Sequence, residues 1–434
     1  MTTALLIAYY FPPVGGAGVQ RVTKFVRYLP AFGVTPAVVA GPLQADSRWS
    51  PQDLDLAAEL PDCVPVHRPR EQAELSDSRF KRLIGRPTGA EAWWARALRA
   101  PADDAIAIHR PDVLLVTLSP FAALKSVLEL GARHNLPVVA DLRDPWALDE
   151  VAVYPSRWHR ARAMADMGRQ LARCERVVLN TPETLRAVRS TFPKLDGKKL
   201  SVITNGYDAD DFAGLSPRPH DGRFRIVHTG YLHTAFGLAH ARRPAWRRAL
   251  GGTACEINFL GRSHYYLLKA LRKLNDRGVD LASLDLHLHG VLSAEDRALL
   301  ERSPLKPEQV RAGGYTDHRM AVRAQAEADL LFLPMHALPK GRRARIVPGK
   351  TYEYLASGRP ILAAVPKGDA RDFVVAADAG EIVDPTGVQG MANVIQHALE
   401  RGNVPKKEPS PAVTRFERRV LTEQLARVLT DACG

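Results

Sequence analysis

Short apolar runs alternate with helical periods along most of this chain. An apolar run over residues 4–10 gives way to the glycine-rich segment Phe11-Pro12-Pro13-Val14-Gly15-Gly16-Ala17-Gly18-Val19-Gln20-Arg21, and then to Val22, Phe25, Val26 and Leu29 at helical spacing. That pattern predicts strand, glycine loop, helix. Further strands are predicted over 34–40, 64–67, 113–117 and 137–140, helices over 121–134 and 158–174, and closing strands over 176–180 and 200–204. The second half repeats the scheme, with strands over 224–228, 284–288, 309–312, 330–333 and 361–365 and helices over 265–275 and 294–302. Nearly continuous apolar strands, each followed by a helix, predict an α/β protein whose parallel sheets are covered on both faces. Between the halves, Gly206, Gly214, Pro217, Pro219 and Gly222 have the composition of a linker. After a Pro-containing stretch over 404–411, a last helical period over 414–429 puts Phe416, Val420, Leu421, Leu425, Val428 and Leu429 on one apolar stripe.

With 434 residues, 46% hydrophobic and 25% charged, the chain is long enough for two cores. The first ten residues lack a basic start, and their apolar run is strand-sized and stops at Pro12-Pro13, so neither a signal peptide nor a membrane span is expected, and a cytoplasmic protein is. Cys63, Cys174, Cys255 and Cys433 stand far apart, without metal-type spacing, as reduced thiols would. The net charge of +13 fits partners that are nucleic acid, membrane surface or anionic small molecules. Basic residues concentrate at Arg79, Lys81, Arg82 and Arg86, at Arg242, Arg243, Arg247 and Arg248, and at Lys340, Arg342, Arg343 and Arg345. None of these stretches has the stacked-aromatic pattern of an RNA module or accompanies a helix-turn-helix or zinc-finger spacing, which argues against nucleic acid. The first stretch, followed by Trp93 and Trp94, has the composition of a segment that rests on an anionic bilayer, and equally that of a solvated basic loop.

Four segments carry candidate chemistry. In Pro348-Gly349-Lys350-Thr351-Tyr352-Glu353-Tyr354-Leu355-Ala356-Ser357-Gly358-Arg359-Pro360 a Pro-Gly entry opens a short helix, so backbone N–H groups and the Lys350 cation meet where a phosphate would be stabilised, with Glu353 one turn on to accept hydroxyls. The same residues also fit an ordinary helix start with a surface Lys and Glu. The Gly15, Gly16 and Gly18 loop resembles the start of a dinucleotide fingerprint, but position 21 is arginine and the second strand ends in Ala40-Gly41-Pro42 without an acidic residue, which disfavours NAD. It leaves either a backbone that lets a ligand come close or a tight strand-to-helix turn. Asp141-Leu142-Arg143-Asp144-Pro145-Trp146 leaves the carboxyl end of a strand, and its carboxylates, arginine and indole suit sugar hydroxyls and a stacking face, or an Asp-Pro turn with Arg143 paired to a neighbour. Arg262-Ser263-His264 opens the helix at Tyr265, with Ser263 as N-cap and Arg262 facing the same anion as Lys350 or simply solvated. Asp208 and Asp210 have the spacing of a divalent-ion pair but lie in the turn Asn205-Gly206-Tyr207-Asp208, where backbone geometry accounts for them. No His or Cys cluster, nucleophile elbow or GxxxxGK loop is present, so no metal and no cofactor is expected.

Four of these places, the glycine loop, Ile203-Thr204-Asn205-Gly206-Tyr207-Asp208 with Phe212, Leu331-Phe332-Leu333-Pro334, and Lys350 to Pro360, together resemble a GT-B glycosyltransferase of the retaining family 4 group over nearly the whole chain. The resemblance implies two Rossmann-like, doubly wound parallel-sheet domains facing a central cleft, with the C-terminal helix crossing back to the first. Their bounds would be 1–206 on the acceptor side, 207–411 for the nucleotide-sugar donor, and 412–434 for the returning helix. It also implies transfer of a sugar from a nucleoside-diphosphate donor to a hydroxyl acceptor with retention and without metal, in glycan, polysaccharide or glycosylated-metabolite synthesis. Donor contacts would come from Gly15, Gly16, Gly18, Arg262, Gly349, Lys350, Thr351 and Glu353, with Glu353 on the ribose and Arg262 and Lys350 on the diphosphate. Asp141, Asp144 and Lys350 would act in catalysis, the two aspartates orienting the sugar or acceptor hydroxyl. Where the family's Glu-seven-Glu motif has its first glutamate, this chain has Arg345, and residues 232–260 look like an insertion. An inactive GT-B scaffold that binds a nucleotide or partner, and a GT-B sugar epimerase, are the competing expectations.

Overall fold

The computed structural model describes residues 1–43, 52–70, 85–215, 218, 221–244, 252–253, 255–314, 317–402 and 404–434. It divides into two compact units, one of residues 1–206, 250–252 and 418–434 and the other of residues 207–249 and 253–417.

Among the described residues, seven parallel strands make up the sheet of the first unit: β1 (Thr2–Ala8), β2 (Val34–Ala40), β3 (Val66–His67), β4 (Val113–Leu118), β5 (Val138–Leu142), β6 (Arg176–Leu179) and β7 (Leu200–Val202), in the order β3-β2-β1-β4-β5-β6-β7. The register runs from Thr2 opposite Val34 on one side of β1 to Ala4 opposite Val113 on the other. Why both faces must be covered is visible in β1. Leu5 and Ile7 enter one core with Leu114, Val116 and Val127, while Ala4, Leu6 and Ala8 enter another with Val22, Phe25, Val26 and Leu29, because successive side chains of a strand point to opposite faces.

The second unit repeats the plan with six parallel strands among the described residues: β8 (Phe224–Thr229), β9 (Leu284–His289), β10 (Val310–Ala312), β11 (Leu330–Pro334), β12 (Ile361–Ala364) and β13 (Gly380–Val383), in the order β10-β9-β8-β11-β12-β13. Alternation again divides the cores. Ile226, Leu330, Phe332, Leu362 and Ala364 face one side; Val227, Leu331, Leu333, Ile361 and Ala363 face the other. In each unit the order reverses beside the first strand, which places a switch point at the carboxyl ends of β1 and β4 and of β8 and β11.

The final helical period is broken where the pattern predicted continuity. A short helix, Pro411–Thr414, ends before Phe416, which packs in the second unit with ring centroids 5.1 Å from Tyr352 and 4.7 Å from Phe373. A new helix, Arg418–Ala432, then buries Leu421, Leu425, Ala426 and Leu429 against the helix Ala17–Tyr28 and the first sheet, while Val420 stays 38% exposed. Helices Gly89–Ala97, Arg99–His109, His318–Ala326 and Val388–Arg401 and strand β13 are not among the elements predicted from the sequence. No helix among the described residues is long and apolar enough to cross a membrane.

Candidate functional site

The chemistry of the second unit gathers at the carboxyl edge of its sheet. The segment after β11 turns into the helix Lys350–Ser357, entered at Gly349, where an added Cβ would meet nothing within 4 Å. Space for a ligand lies there. The first turn is partly closed, however, since the Thr351 N–H donates to Pro348 O at 2.9 Å and the Tyr352 N–H to Gly349 O at 3.2 Å. Thr351 itself is fully buried, so the expectation that its side chain contacts the donor is corrected.

Lys350 is held by a residue that the sequence reading missed. Its Nζ lies 3.1 Å from Nε2 of His228, the penultimate residue of β8. The other ring nitrogen of His228 is 3.0 Å from Phe332 O, so that Nδ1 carries the proton and Nε2 offers a lone pair to the lysine. His228 is 1% exposed, and burial together with the lysine holds its pKa well below the ordinary value. Gly230 follows with φ 93°, and a Cβ there would stand 3.0 Å from Lys350 Nζ, so both the backbone angle and the close approach call for glycine. Burial first and Arg262 second lower the Lys350 pKa to about 7, against the opposing pull of Glu353. An anion placed beside Lys350 would favour its ammonium form.

Arg262 ends the 3₁₀ turn Phe259–Arg262, which is capped by Asn258 through the Leu260 N–H at 3.0 Å. The N-cap position of the next helix, Tyr265–Asp276, falls on His264 rather than Ser263. Ser263 Oγ nonetheless accepts from the Tyr265 N–H at 3.1 Å and donates to Leu260 O at 2.7 Å, fixing the turn that carries Arg262.

Glu353 is oriented from two sides. Gln325 Nε2 donates to its Oε2 at 2.8 Å and to Thr229 Oγ1 at 3.1 Å, and His318 Nδ1 lies 3.9 Å from Oε1 while its Nε2 is 2.9 Å from Asp211. The Tyr354 hydroxyl accepts from the Thr229 N–H at 2.9 Å. The carboxylate keeps lone pairs for ligand hydroxyls, in a position that it does not have to find on binding. Asp208 caps the turn Ala209–Phe212 by accepting from the Asp210 N–H at 3.1 Å.

In the first unit the structure separates two aspartates that the sequence put together. β5 extends to Leu142, so Asp141 lies within the strand and is 1% exposed. Both of its oxygens accept from Arg21, at 3.0 and 2.8 Å, and Arg21 also donates to Thr204 O at 2.6 Å and Ile203 O at 2.8 Å. The arginine at the place of a third glycine is thus a buried strut between the glycine-loop helix, β5 and the chain after β7. Asp141 is correspondingly engaged, which corrects the expectation that it meets a sugar or acceptor hydroxyl. Asp144 is different, with its side chain 49% exposed and 3.5 Å from Arg143 Nε. The Arg143 guanidinium lies 4.8 Å from the Tyr10 ring centroid and directly against Gly18, where any Cβ would collide with it. Gly16, with φ 102°, precedes the helix Ala17–Tyr28 beside the buried Gly15. The glycine loop and Asp144 are therefore neighbours at the carboxyl edge of the first sheet, and Lys350, Arg262, Glu353 and Gly349 are neighbours in the second unit.

Of the bilayer reading, the two tryptophans are corrected. Trp93 and Trp94 are 2% and 0% exposed in the helix Gly89–Ala97 and belong to the core, while Arg79, Lys81 and Arg82, like Arg247 and Arg248, lie outside the described residues.

Residues 14–211 match the family described as Glycosyltransferase Family 4. The matched stretch is less than half of the chain and lies almost wholly in the first unit. Among solved structures, HepE from Anabaena, in complex with UDP and glucose, is 16% identical with a TM-score of 0.60, over 99% of this chain and 100% of that one. Sucrose-phosphate synthase from Thermosynechococcus elongatus is 14% identical with a TM-score of 0.61, over 99% and 97% of the two chains. A putative UDP-N-acetylglucosamine 2-epimerase from Listeria monocytogenes reaches a TM-score of 0.58 at 9% identity, over 98% and 95%. At these identities the likeness establishes the fold. No curated protein sequence matches the chain.

Proposed function

We propose that this glycosyltransferase moves a sugar from a nucleoside-diphosphate donor to a hydroxyl acceptor, with retention and without a metal ion. The observation that carries the reading is the convergence of Lys350, Arg262 and a pre-oriented Glu353 at one sheet edge. Two cations and an open helix entrance suit a diphosphate, and a fixed carboxylate suits a ribose. Departure of the nucleoside diphosphate leaves a cationic sugar and an anionic leaving group. Lys350 and Arg262 stabilise the anion as it forms, and attack from the face it vacates gives retention. Asp144, half exposed beside the glycine loop, is the carboxylate left to orient an acceptor hydroxyl. The HepE complexes with UDP and with UDP-glucose support uridine nucleotides as the first to try. An acceptor that is a glycan, a lipid-linked sugar or a small metabolite fits the reading equally.

Arg345 at the family's first glutamate, and the likeness to an epimerase, favour one second reading: rearrangement of the nucleotide sugar without transfer. One experiment addresses both. UDP, UDP-glucose and UDP-N-acetylglucosamine are added in a thermal-shift series, where a ligand at a hundred times its Kd adds about 2.7 kcal/mol of stability, and the products of the binding donor are resolved by chromatography. Release of nucleoside diphosphate supports transfer chemistry. A new nucleotide sugar with no diphosphate supports the epimerase, and absence of binding by every nucleotide would remove the donor-site reading altogether.

A further inference from the structure

Two arginines near the carboxyl edge of the first sheet are in opposite conditions. Arg21 is saturated, with Asp141 and the carbonyls of Ile203 and Thr204 accepting from it. Arg143 is more open but still largely covered, its side chain 16% exposed, stacked on Tyr10 and laid against Gly18. Its backbone is fixed as well, since Asn180 Nδ2 donates to Arg143 O at 2.7 Å while Asn180 Oδ1 accepts from the Asn205 N–H at 2.8 Å. Yet among the described residues the guanidinium makes no hydrogen bond. Its buried Nε has no hydrogen-bond partner and only the half-exposed Asp144 as an ionic neighbour, at 3.5 Å. Guanidinium groups withdrawn from water ordinarily have acceptors, because their desolvation is otherwise uncompensated.

We propose that Arg143 anchors an anion-binding subsite in the first unit, which takes a carboxylate or phosphate carried by the acceptor. The assignment to the acceptor rests on the transferase reading, in which Lys350 and Arg262 hold the donor's diphosphate, and the effect of Arg143 variants on UDP affinity separates an acceptor's anion from the donor's. The planar fork of Arg143 matches an oxyacid in a way that an ammonium does not, and stacking on Tyr10 pre-organises it. The neighbours suit the rest of a sugar. Burial raises the pKa of the Tyr10 hydroxyl, keeping it a neutral donor. The Glu91 carboxyl is held in place by the N–H groups of Phe121 and Ala122 at 3.2 and 2.9 Å, and Phe121 and Trp146 form a stacked aromatic pair at 5.0 Å. A neutral acceptor would leave Arg143 with Asp144 alone and no hydrogen-bond acceptor, so an acid is favoured by the contacts that a neutral sugar cannot make.

The probes are glucuronate, glucose 6-phosphate and glucose, titrated calorimetrically against protein with and without saturating UDP. At least one acid should bind roughly tenfold or more tightly than glucose, the scale of a charge-assisted pair. Whichever acid shows the margin identifies carboxylate or phosphate as the group. Arg143→Gln should abolish the margin and Arg143→Lys should shrink it severalfold, with UDP affinity unchanged in both. The proposal is overturned if neither acid outbinds glucose, if the margin survives in Arg143→Gln, or if UDP affinity falls instead. Should Arg143→Gln fail to fold by near-ultraviolet circular dichroism, Arg143→Lys decides, and an unchanged margin there overturns the proposal. Failure of UDP to bind would count against the transferase reading, while the titrations without UDP would still test Arg143.

Discussion

With the Lys350 pKa lowered to about 7, the proposed nucleotide-sugar binding is expected to be proton-coupled. Burial and Arg262 disfavour the ammonium, and His228 Nε2 accepts from it at 3.1 Å without adding charge. A bound diphosphate reverses the balance, since an opposite charge within reach raises a lysine's pKa by about 1–3 units. If only the ammonium form binds, the competent fraction is roughly nine-tenths at pH 6, one half at pH 7 and one-tenth at pH 8, with each unit beyond that worth about 1.4 kcal/mol. Affinity for UDP-glucose should thus be nearly flat below pH 7 and fall about tenfold between pH 6 and pH 8. Near pH 7 binding should take up about half a proton. Calorimetry in two buffers of different ionisation enthalpy measures that uptake directly. The nucleotide sugar is the proper ligand, because its phosphates carry no group titrating near 6 as a terminal phosphate does. Lys350→Arg, always charged, should bind with no pH slope in this range. The reasoning is refuted if wild-type binding takes up no proton at pH 7 and its affinity is flat from pH 6 to pH 8, or if Lys350→Arg keeps the slope.

Four further outcomes follow from the same geometry. Lys350→Ala should cut turnover by about two to three orders of magnitude, while Glu353→Ala should act mainly on donor KM; wild-type turnover in Lys350→Ala would exclude its role at the leaving group. Asp141→Asn should destabilise the fold by about 3–5 kcal/mol in urea titrations by leaving Arg21 buried and unpaired, whereas Asp144→Asn should stay within about 0.5 kcal/mol of wild type and lose transfer. Activity should persist in EDTA; loss on chelation that magnesium or manganese restores would require a metal site that the proposal lacks. Leu425→Ala should cost about 2–5 kcal/mol of first-unit stability, measurable as a lower denaturant midpoint, because Leu425 is fully buried against the helix Ala17–Tyr28.

Periodicity made the doubly wound sheets and the packing face of the last helix legible, since strands such as β4, buried along their whole length, must be apolar on both faces. Local chemistry was legible where it is local. Lys350, Glu353 and Gly349 share one helix turn, and their spacing alone brings them together. What escaped was everything held by long-range pairing. Two aspartates three residues apart read as equivalent, yet Asp141 lies within β5 and pairs with Arg21, 120 positions away, while Asp144 has left the strand for a half-exposed turn. His228 sits 122 positions from Lys350, Gln325 lies on a helix with no distinguishing pattern, and neither had a neighbour in sequence to suggest its use. One signal was present all the same: β8 is apolar at Phe224 and Ile226, and the next position on that face is a histidine at the strand's carboxyl end. A polar ring on a buried face must find partners, and at a sheet edge where ligands bind the partner is often functional. Arginine at position 21 carried the same kind of information. Its failure to be glycine excluded a dinucleotide site, but the physical question was which acceptors could surround a guanidinium on the buried face of a helix, and the nearest carboxylate on an adjoining strand end was Asp141. Arginines must be sorted by their acceptors, and by that criterion Arg21, with four hydrogen bonds to Asp141, Ile203 and Thr204, is part of the fold, whereas Arg143, more open and with Asp144 alone beside it, is the one for which a ligand is proposed.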